Sequence, residues 1–398
     1  MASQDITPVG RSSAKASLLY DPKVRGLVFQ VLTVVVIAGL IYWIINNTIT
    51  NLQRANLASG FGFLDGRSGF DISSSPYLAY SSDSTYIKAL WVGILNTITV
   101  AFVGIITATI IGFVIGIGRL SHNWLIRKIC TVYVEIFRNI PPLLVIFFWY
   151  LGVLSVLPQA RQSIHLPFNT YLNNRGFFFP SPVFGEGAWL AGVGLIVGIV
   201  GALLVKRWAR KRQMVTGQQF PVGLTALALI VGLPLLALLI KGFPLSFDYP
   251  VLGSFNLKGG AQIGPEFMSL YLALSFYTAS FIAEIVRAGI RGVGKGQSEA
   301  SHALGLRAGP TTRLVIVPQA MRIIIPPLTS QYLNLTKNSS LAVAIGYPDL
   351  VAVGGTILNQ TGHSIEVVAI WMVVYLGISV LTSIFMNWFN ARVALVER

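Results

Sequence analysis

Uncharged apolar runs, each about as long as a bilayer is thick, alternate along this chain with segments rich in charge, glycine and serine. The pattern predicts eight membrane-spanning helices: Leu27–Asn47, Lys88–Gly118, Ile140–Leu157, Ala188–Val205, Pro221–Ile240, Glu266–Ala288, Met321–Ile345 and Val367–Phe389. The first run, LVFQVLTVVVIAGLIYWIINN, holds 21 uncharged residues. As a helix it reaches about 31 Å, enough to cross the hydrocarbon core. No small-residue cleavage site follows it, so it reads as a retained span or an uncleaved signal anchor, which give the same topology. In the second run Gly112 and Gly116 form a GxxxG face, with Gly118 beyond them, where another helix can approach closely.

Between the spans the composition is that of loops. Residues 51–86 and 158–187 are rich in Ser, Gly, Asp, Pro and aromatics, and 242–265 alternates polar with apolar residues in a way compatible with a small hairpin. IRKICTVYVEIF is amphipathic and is expected to lie along the inner membrane surface ahead of Pro141 and Pro142, which suit the first turn of a helix.

One polar, basic stretch, Gly296 to Pro318, stands between two apolar runs and must meet a partner in water. Its residues predict a short helix from Ser298 to Leu304, with Ser298 capping the free N–H groups, Glu299 at the positive helix start and Gly305 as a left-handed stop. A second helix is expected to start at Pro310.

At 398 residues, 54% hydrophobic and 11% charged, the chain is too apolar for a soluble globule and reads as an all-α polytopic membrane protein. The net charge of +15 does not point to nucleic acid, because the basic residues are dispersed among short loops. With both ends inside the cell, 20 of the 29 Lys and Arg fall on inner segments, including the run from Lys206 to Arg212, and seven on outer ones. Arg138 and Lys337 lie at or within spans. Cys130 is the only cysteine, which excludes an intramolecular disulfide and a CxxC motif.

No catalytic or metal site is expected. Gly289 to Gly296 comes within one residue of a phosphate loop, but Gly296 replaces the required Ser or Thr and no strand leads in. His122, His165, His302 and His363 show no metal spacing. The informative polar groups are in the spans. The seventh carries Asn334, Lys337, Ser339 and Ser340, and a charge at bilayer depth requires a cavity, a partner or water. Lys337 therefore reads either as a pathway cation near a substrate carboxylate or as a structural cation against helix ends or a second subunit. Asn96, Thr97 and Tyr277 are neutral groups that suit a zwitterion site, although each alone reads first as a helix-packing contact. Glu284 and Arg287, three apart on one helix face, read as a structural ion pair.

Glu299-Ala300-Ser301, then Gly305, then Val315-Ile316-Val317-Pro318 resembles the EAA loop of ABC importer permeases, with Val in place of both usual aliphatics and Ser301 in place of the second Ala. Gly93 to Thr97, Phe137 to Leu144, Ala283 to Gly289 and Lys337 to Leu341 resemble the polar amino-acid uptake permeases, and the longer chain resembles the general L-amino-acid (Aap/Bzt) type. The resemblance implies a type I importer fold with a five-helix core in 88–157 and 263–390. Around that core it implies a first extra span within 1–87, an insertion at 158–262 and a tail at 391–398. It implies coupling through 296–318, with Ser298, Glu299, Ala300, Ser301, Gly305 and Pro318 meeting a cytoplasmic ATP-binding subunit dimer. This chain would bind no cofactor, with ATP and Mg held by that partner. Further implied partners are a second homologous permease, a periplasmic amino-acid-binding protein, membrane lipid and transported L-amino acids. The location implied is the bacterial inner membrane. The inserted spans read as a lipid-facing brace or an extra interface, of which the brace is preferred. The rival reading is a self-contained ion-coupled secondary transporter, which usually buries coupling carboxylates near the midplane, where this sequence offers Glu284 beside Arg287. A scaffold without transport accounts for neither the loop nor the polar seventh span.

Overall fold

The computed structural model describes residues 22–54, 60–240, 242–253 and 256–393. The basic positions Arg11 and Lys15, Lys241 and the terminal stretch 394–398 lie outside the described residues. Among the described residues six helices are long and apolar enough to cross a membrane, or up to eight spans if two sharply bent helix pairs each count as one.

The core is built on α2 (Tyr86–Gly118) and α7 (Pro265–Arg291), which pack along their lengths. The contact is close because its α2 side is small. A Cβ at Gly112 would stand 2.5 Å from Ile282 Cγ2, and one at Gly116 would stand 2.7 Å from the carbonyl of Ala283 and 2.8 Å from Val286 Cβ. Lipid is as apolar as a leucine side chain, so helices in a bilayer associate through such close packing and not through the hydrophobic effect. Gly118 meets Cys130 of α3 (Trp124–Asn139), an amphipathic helix capped by Asn123, whose side chain accepts from the backbone of Leu125 and Ile126.

The expected third span is the helical run Pro142–Leu154, preceded as expected by the amphipathic α3. After α3 the chain turns by 111° at Pro141, and α4 (Pro142–Phe147) with a wide-turn continuation to Leu154 completes a bent pair. The expected insertion folds separately. Next come β1 (Ile164–Leu166), β2 (Thr170–Asn173), β3 (Gly176–Phe179) and β4 (Ser181–Phe184). The long helices α5 (Trp189–Thr216) and α6 (Val222–Ile240) follow, and then β5 (Leu245–Asp248), β6 (Val251–Leu252), β7 (Leu257–Lys258) and β8 (Ala261–Ile263). The all-α reading therefore needs an addition: β1, β2, β3 and β8 form an antiparallel sheet, β4 pairs with β5, and β6 with β7 forms the hairpin expected within 242–265. In the four-stranded sheet Phe177 pairs with Ile263, one residue before Gly264 opens α7. Helices α5 and α6 pack on each other, Gly198 and Gly194 lying against the backbone near Leu229 and Leu233. Helix α1 (Pro22–Arg54) has no buried residue in its apolar window.

The remaining core follows α7: α8 (Lys295–Ala303), α9 (Ala308–Thr311), α10 (Val317–Asn338), α11 (Leu350–Thr361) and α12 (Ser364–Val393). Helices α9 and α10 are joined by a wide turn over Thr312–Ile316, and α10 runs through a tight helical segment to Ile345 before bending by 52° into α11. The expected seventh span ends at Ile345, where the bend falls, and α11 beyond it is a helix that the sequence pattern did not anticipate. Helix α10 packs on α7 with Ile324 against Gly289, and on α2 with Leu335 against Gly104.

Placing a β-branched side chain in the α2–α7 seam should be felt at once. Gly116→Val is expected to cost about 1–3 kcal/mol through overpacking. It should lower the detergent-solubilised thermal midpoint, whereas the same change at Gly39, whose Cβ would meet nothing within 4 Å, should not.

Candidate functional site

The polar stretch between α7 and α10 is organised from its glycines. Helix α8 starts earlier than its Ser suggests: Gly294 stands at the N-cap, and Ser298 lies inside the helix with no capping bond. The cap expected at Ser298 is therefore wrong, because the flexible Gly294-Lys295-Gly296 run lets the helix begin a turn sooner. The stop is as the sequence suggests. Gly305 has φ +78°, the N–H of Leu306 donates to the carbonyl of Ser301 at 3.1 Å and that of Gly305 to His302 at 2.9 Å. This pairing is the Schellman motif, which satisfies carbonyls at the helix end. The second helix starts at Ala308, not Pro310, behind Arg307 at its cap.

Helix α8 presents two distinct faces. Ser301 is buried and its hydroxyl donates to the carbonyl of Gln297 at 2.7 Å, while Glu299, Ala300 and Leu304 are exposed. Glu299 has no ion pair among the described residues. Gln319 of α10 donates to Gln297 of α8 at 3.1 Å, and Pro318 sits in the first turn of α10. Since Gly289 and Ile324 hold α7 and α10 together just inside, α8 rides on the joined ends of two core helices. A rigid helix with a free polar face at that joint can pass a push or a twist from a partner into the core.

The expected pathway residues fall into two groups. Asn96 and Thr97 are buried and engaged: Asn96 donates to the carbonyls of Ser74 at 2.8 Å and Pro348 at 2.9 Å, and the hydroxyl of Thr97 accepts from the backbone of Leu350 at 3.1 Å. They dock the bend before α11 onto α2, with Gly93 against Leu350. Ser339 is buried and donates to the carbonyl of Thr336 at 2.7 Å, Ser340 donates to that of Lys337, and Tyr277 lies half-buried beside Phe281. Asn334 and Lys337, three apart, are instead exposed on the outer face of α10 with Ser330 and the two prolines 326 and 327. Their depth follows from Leu335, packed on Gly104, the nineteenth of the 33 residues of α2.

Glu284 and Arg287 are hydrogen-bonded, and the carboxylate also accepts from Arg119 at the end of α2, with Arg138 at 3.9 Å. Sequence reading missed both additional cations. The available signal was a basic residue ending one span and another preceding the Pro141-Pro142 bend, both free to converge on an acid from another span. It also missed Asp349, fully buried at the N-cap of α11, where it accepts from the N–H of Ala352 at 2.8 Å and the hydroxyl of Tyr375 at 3.4 Å. Glu366 is similarly engaged, accepting from the N–H of Gly60 at 2.6 Å. These acids are hydrogen-bonded partners that hold the fold together.

Residues 104–395 match the family described as binding-protein-dependent transport system inner membrane component. The chain is similar to the general L-amino acid transport system permease protein AapQ of Rhizobium johnstonii, 67% identical over 99% of this chain and 98% of that one. It is also similar to the glutamate/glutamine/aspartate/asparagine transport system permease protein BztB of Rhodobacter capsulatus, 39% identical over 96% of each. With a shared core of this extent and a relative matched nearly end to end, the chain belongs to the family of inner membrane components of binding-protein-dependent transport systems.

Proposed function

We propose that this chain is the transmembrane permease subunit of an ATP-driven L-amino-acid importer in the bacterial inner membrane, both termini cytoplasmic. It forms the translocation path with a second homologous permease. Helix α8 is its coupling helix for a cytoplasmic ATP-binding subunit dimer, which holds the ATP and Mg, and a periplasmic amino-acid-binding protein delivers the cargo. The observation that carries this reading is α8 itself, a capped helix with a free polar face mounted where α7 and α10 join. The names of the similar permeases support the amino-acid cargo.

Lys337 completes the reading. It is exposed near mid-depth with no ion pair among the described residues, and a bare charge at the bilayer centre costs about 2.5–3.5 kcal/mol on insertion scales. The face of α10 that carries it therefore turns to the second permease and the water-filled path between them, not to lipid. Every transported amino acid brings a carboxylate that one fixed cation can recognise, while Asn334 beside it tolerates varied side chains.

Purification from a membrane that expresses the whole system should yield a copurifying ATPase. Proteoliposomes containing that complex should take up L-amino acids only with the binding protein outside and ATP inside. A chain that purifies alone and drives uptake from an ion gradient would overturn the proposal. Glu299→Lys should leave the complex folded yet abolish substrate-stimulated ATP hydrolysis and uptake, because the reversed charge meets the basic surface that Glu299 engages. Gly305→Val should strain the left-handed stop by about 1–2 kcal/mol and weaken assembly with the ATPase, measured by the fraction that copurifies. Lys337→Met should assemble normally but take up substrate roughly ten- to a hundredfold more slowly, the loss expected for one charge-assisted contact. Unchanged uptake would remove Lys337 from the path.

A further inference from the structure

Helix α5 outruns its apolar stretch, and there it gathers Lys206, Arg207, Arg210, Lys211 and Arg212. No Asp or Glu lies between Glu186 and Asp248, so this part of the insertion has no counter-charge of its own. Arg212 is engaged, stacked over the Trp208 ring at 5.4 Å and donating to Gln218 at 2.8 Å. The other four are exposed and have no ion pair among the described residues. Their depth follows from the packing of α5 on α6. Gly194 lies against Leu233 and Gly198 against Leu229, an antiparallel register that carries Val205 level with Val222, where α6 begins. Phe220, edge-on to Trp208 with ring centroids 5.3 Å apart, keeps the same register. From Val222 α6 is uncharged for 19 residues, about 28 Å, close to the thickness of the hydrocarbon core. The cations therefore start where that core ends. From Lys206 to Lys211 they rise about 8 Å, comparable with a headgroup layer.

The side of α5 that meets α6 is marked by its buried residues Gly198, Ala202 and Ala209. At about 100° per residue, Arg207 and Lys211 lie on the side directly away from it, with Arg210 to one flank. Ile196, Val200 and Leu203 occupy that same outer side within the hydrocarbon span, all exposed. Leu204, Arg207, Trp208 and Lys211, at helix spacings of three and four, line one groove together with Arg210. Beyond each other, α5 and α6 make no extended contact with the core helices. We propose that this groove seats an anionic phospholipid, its phosphodiester on Arg207, Arg210 and Lys211 and an acyl chain along Leu204, Leu203 and Val200. A soluble anion would use the cations and leave the apolar strip bare, and an acidic protein surface would have to enter the headgroup layer. A zwitterionic lipid brings an ammonium against the cations. Only a lipid with a net negative head matches both the strip and the charges above it. Guanidinium groups pair with phosphate oxygens two at a time, and Trp208 sits at the boundary depth that its ring favours. The assignment needs only the membrane spans and is independent of the cargo. It gives the far end of the α5–α6 pair, held to the core chiefly through the sheet, a second attachment made of lipid.

The test uses the full chain, purified in mild detergent with the subunits it retains and offered equal amounts of dioleoylphosphatidylglycerol and dioleoylphosphatidylcholine, the bound lipid being counted by native mass spectrometry. Wild type should retain phosphatidylglycerol over phosphatidylcholine roughly tenfold. R207Q/R210Q/K211Q should hold the two lipids equally, whereas R207K/R210K/K211R, which keeps every charge, should keep the preference. Equal thermal midpoints for the three proteins show that the loss is one of charge and not of folding. Excess inorganic phosphate should leave the phosphatidylglycerol in place. Equal retention of the two lipids by wild type, or a preference that survives the glutamine variant, overturns the site. Displacement by phosphate would give the groove to a soluble anion, and a preference present in the bare chain but absent with subunits bound would give it to a protein, and either result also overturns the lipid assignment.

Discussion

The close approach of α2 to α7 is the contact on which the rest of the fold depends. With Gly112 and Gly116 on one side and Ile282, Ala283 and Val286 on the other, the two backbones come near enough for dispersion to hold them where no hydrophobic driving force exists. That spacing sets the position of Arg119 relative to Glu284, so the polar knot of α2, α3 and α7 forms only if the seam does. It also fixes the inner end of α7, against which α10 packs through Ile324 and from which α8 extends. The seam is thus upstream of both the ion-pair cluster and α8.

Most of the membrane architecture was legible because apolar length is a local property. The spans at Leu27, Lys88, Ala188, Pro221, Glu266 and Val367 correspond to six long helices. The bends fall where the pattern ends a segment: the chain turns by 111° at Pro141, between the amphipathic helix and the third span, and the bend at Tyr347 and Pro348, with the helix α11 that the pattern did not anticipate, is held by Asn96 and Thr97 from some 250 residues away in sequence. Those two polar residues looked like substrate ligands for the same reason. A buried amide advertises that it needs a partner but not which one. The helix start lies one turn before Ser298 because the glycine run, and not the serine, sets it, and the pairing of β3 with β8 joins loops separated by two helices, a register no local pattern carries.

The inserted helices α5 and α6 satisfy each other. Gly194 and Gly198 take the backbone of the opposite helix, and the pair's outward side chains remain exposed, as do those of α1. The insertion is anchored to the core chiefly through its sheet, so it behaves as an attachment hung from the start of α7, and its basic run from Lys206 to Arg212 extends α5 past the apolar stretch.

The junction of β8 with α7 has a mechanical consequence. Ile263 is a rung of the sheet, Gly264 is the cap, and α7 then runs unbroken for 27 residues, about 40 Å, to the Gly292–Gly294 link before α8. The sheet and α8 therefore stand at the two ends of a single stiff rod that α2 holds along its length. A tilt of α7 as a rigid rod would displace its two ends in opposite directions, so the sheet and α8 would move in antiphase without any signal passing through side chains.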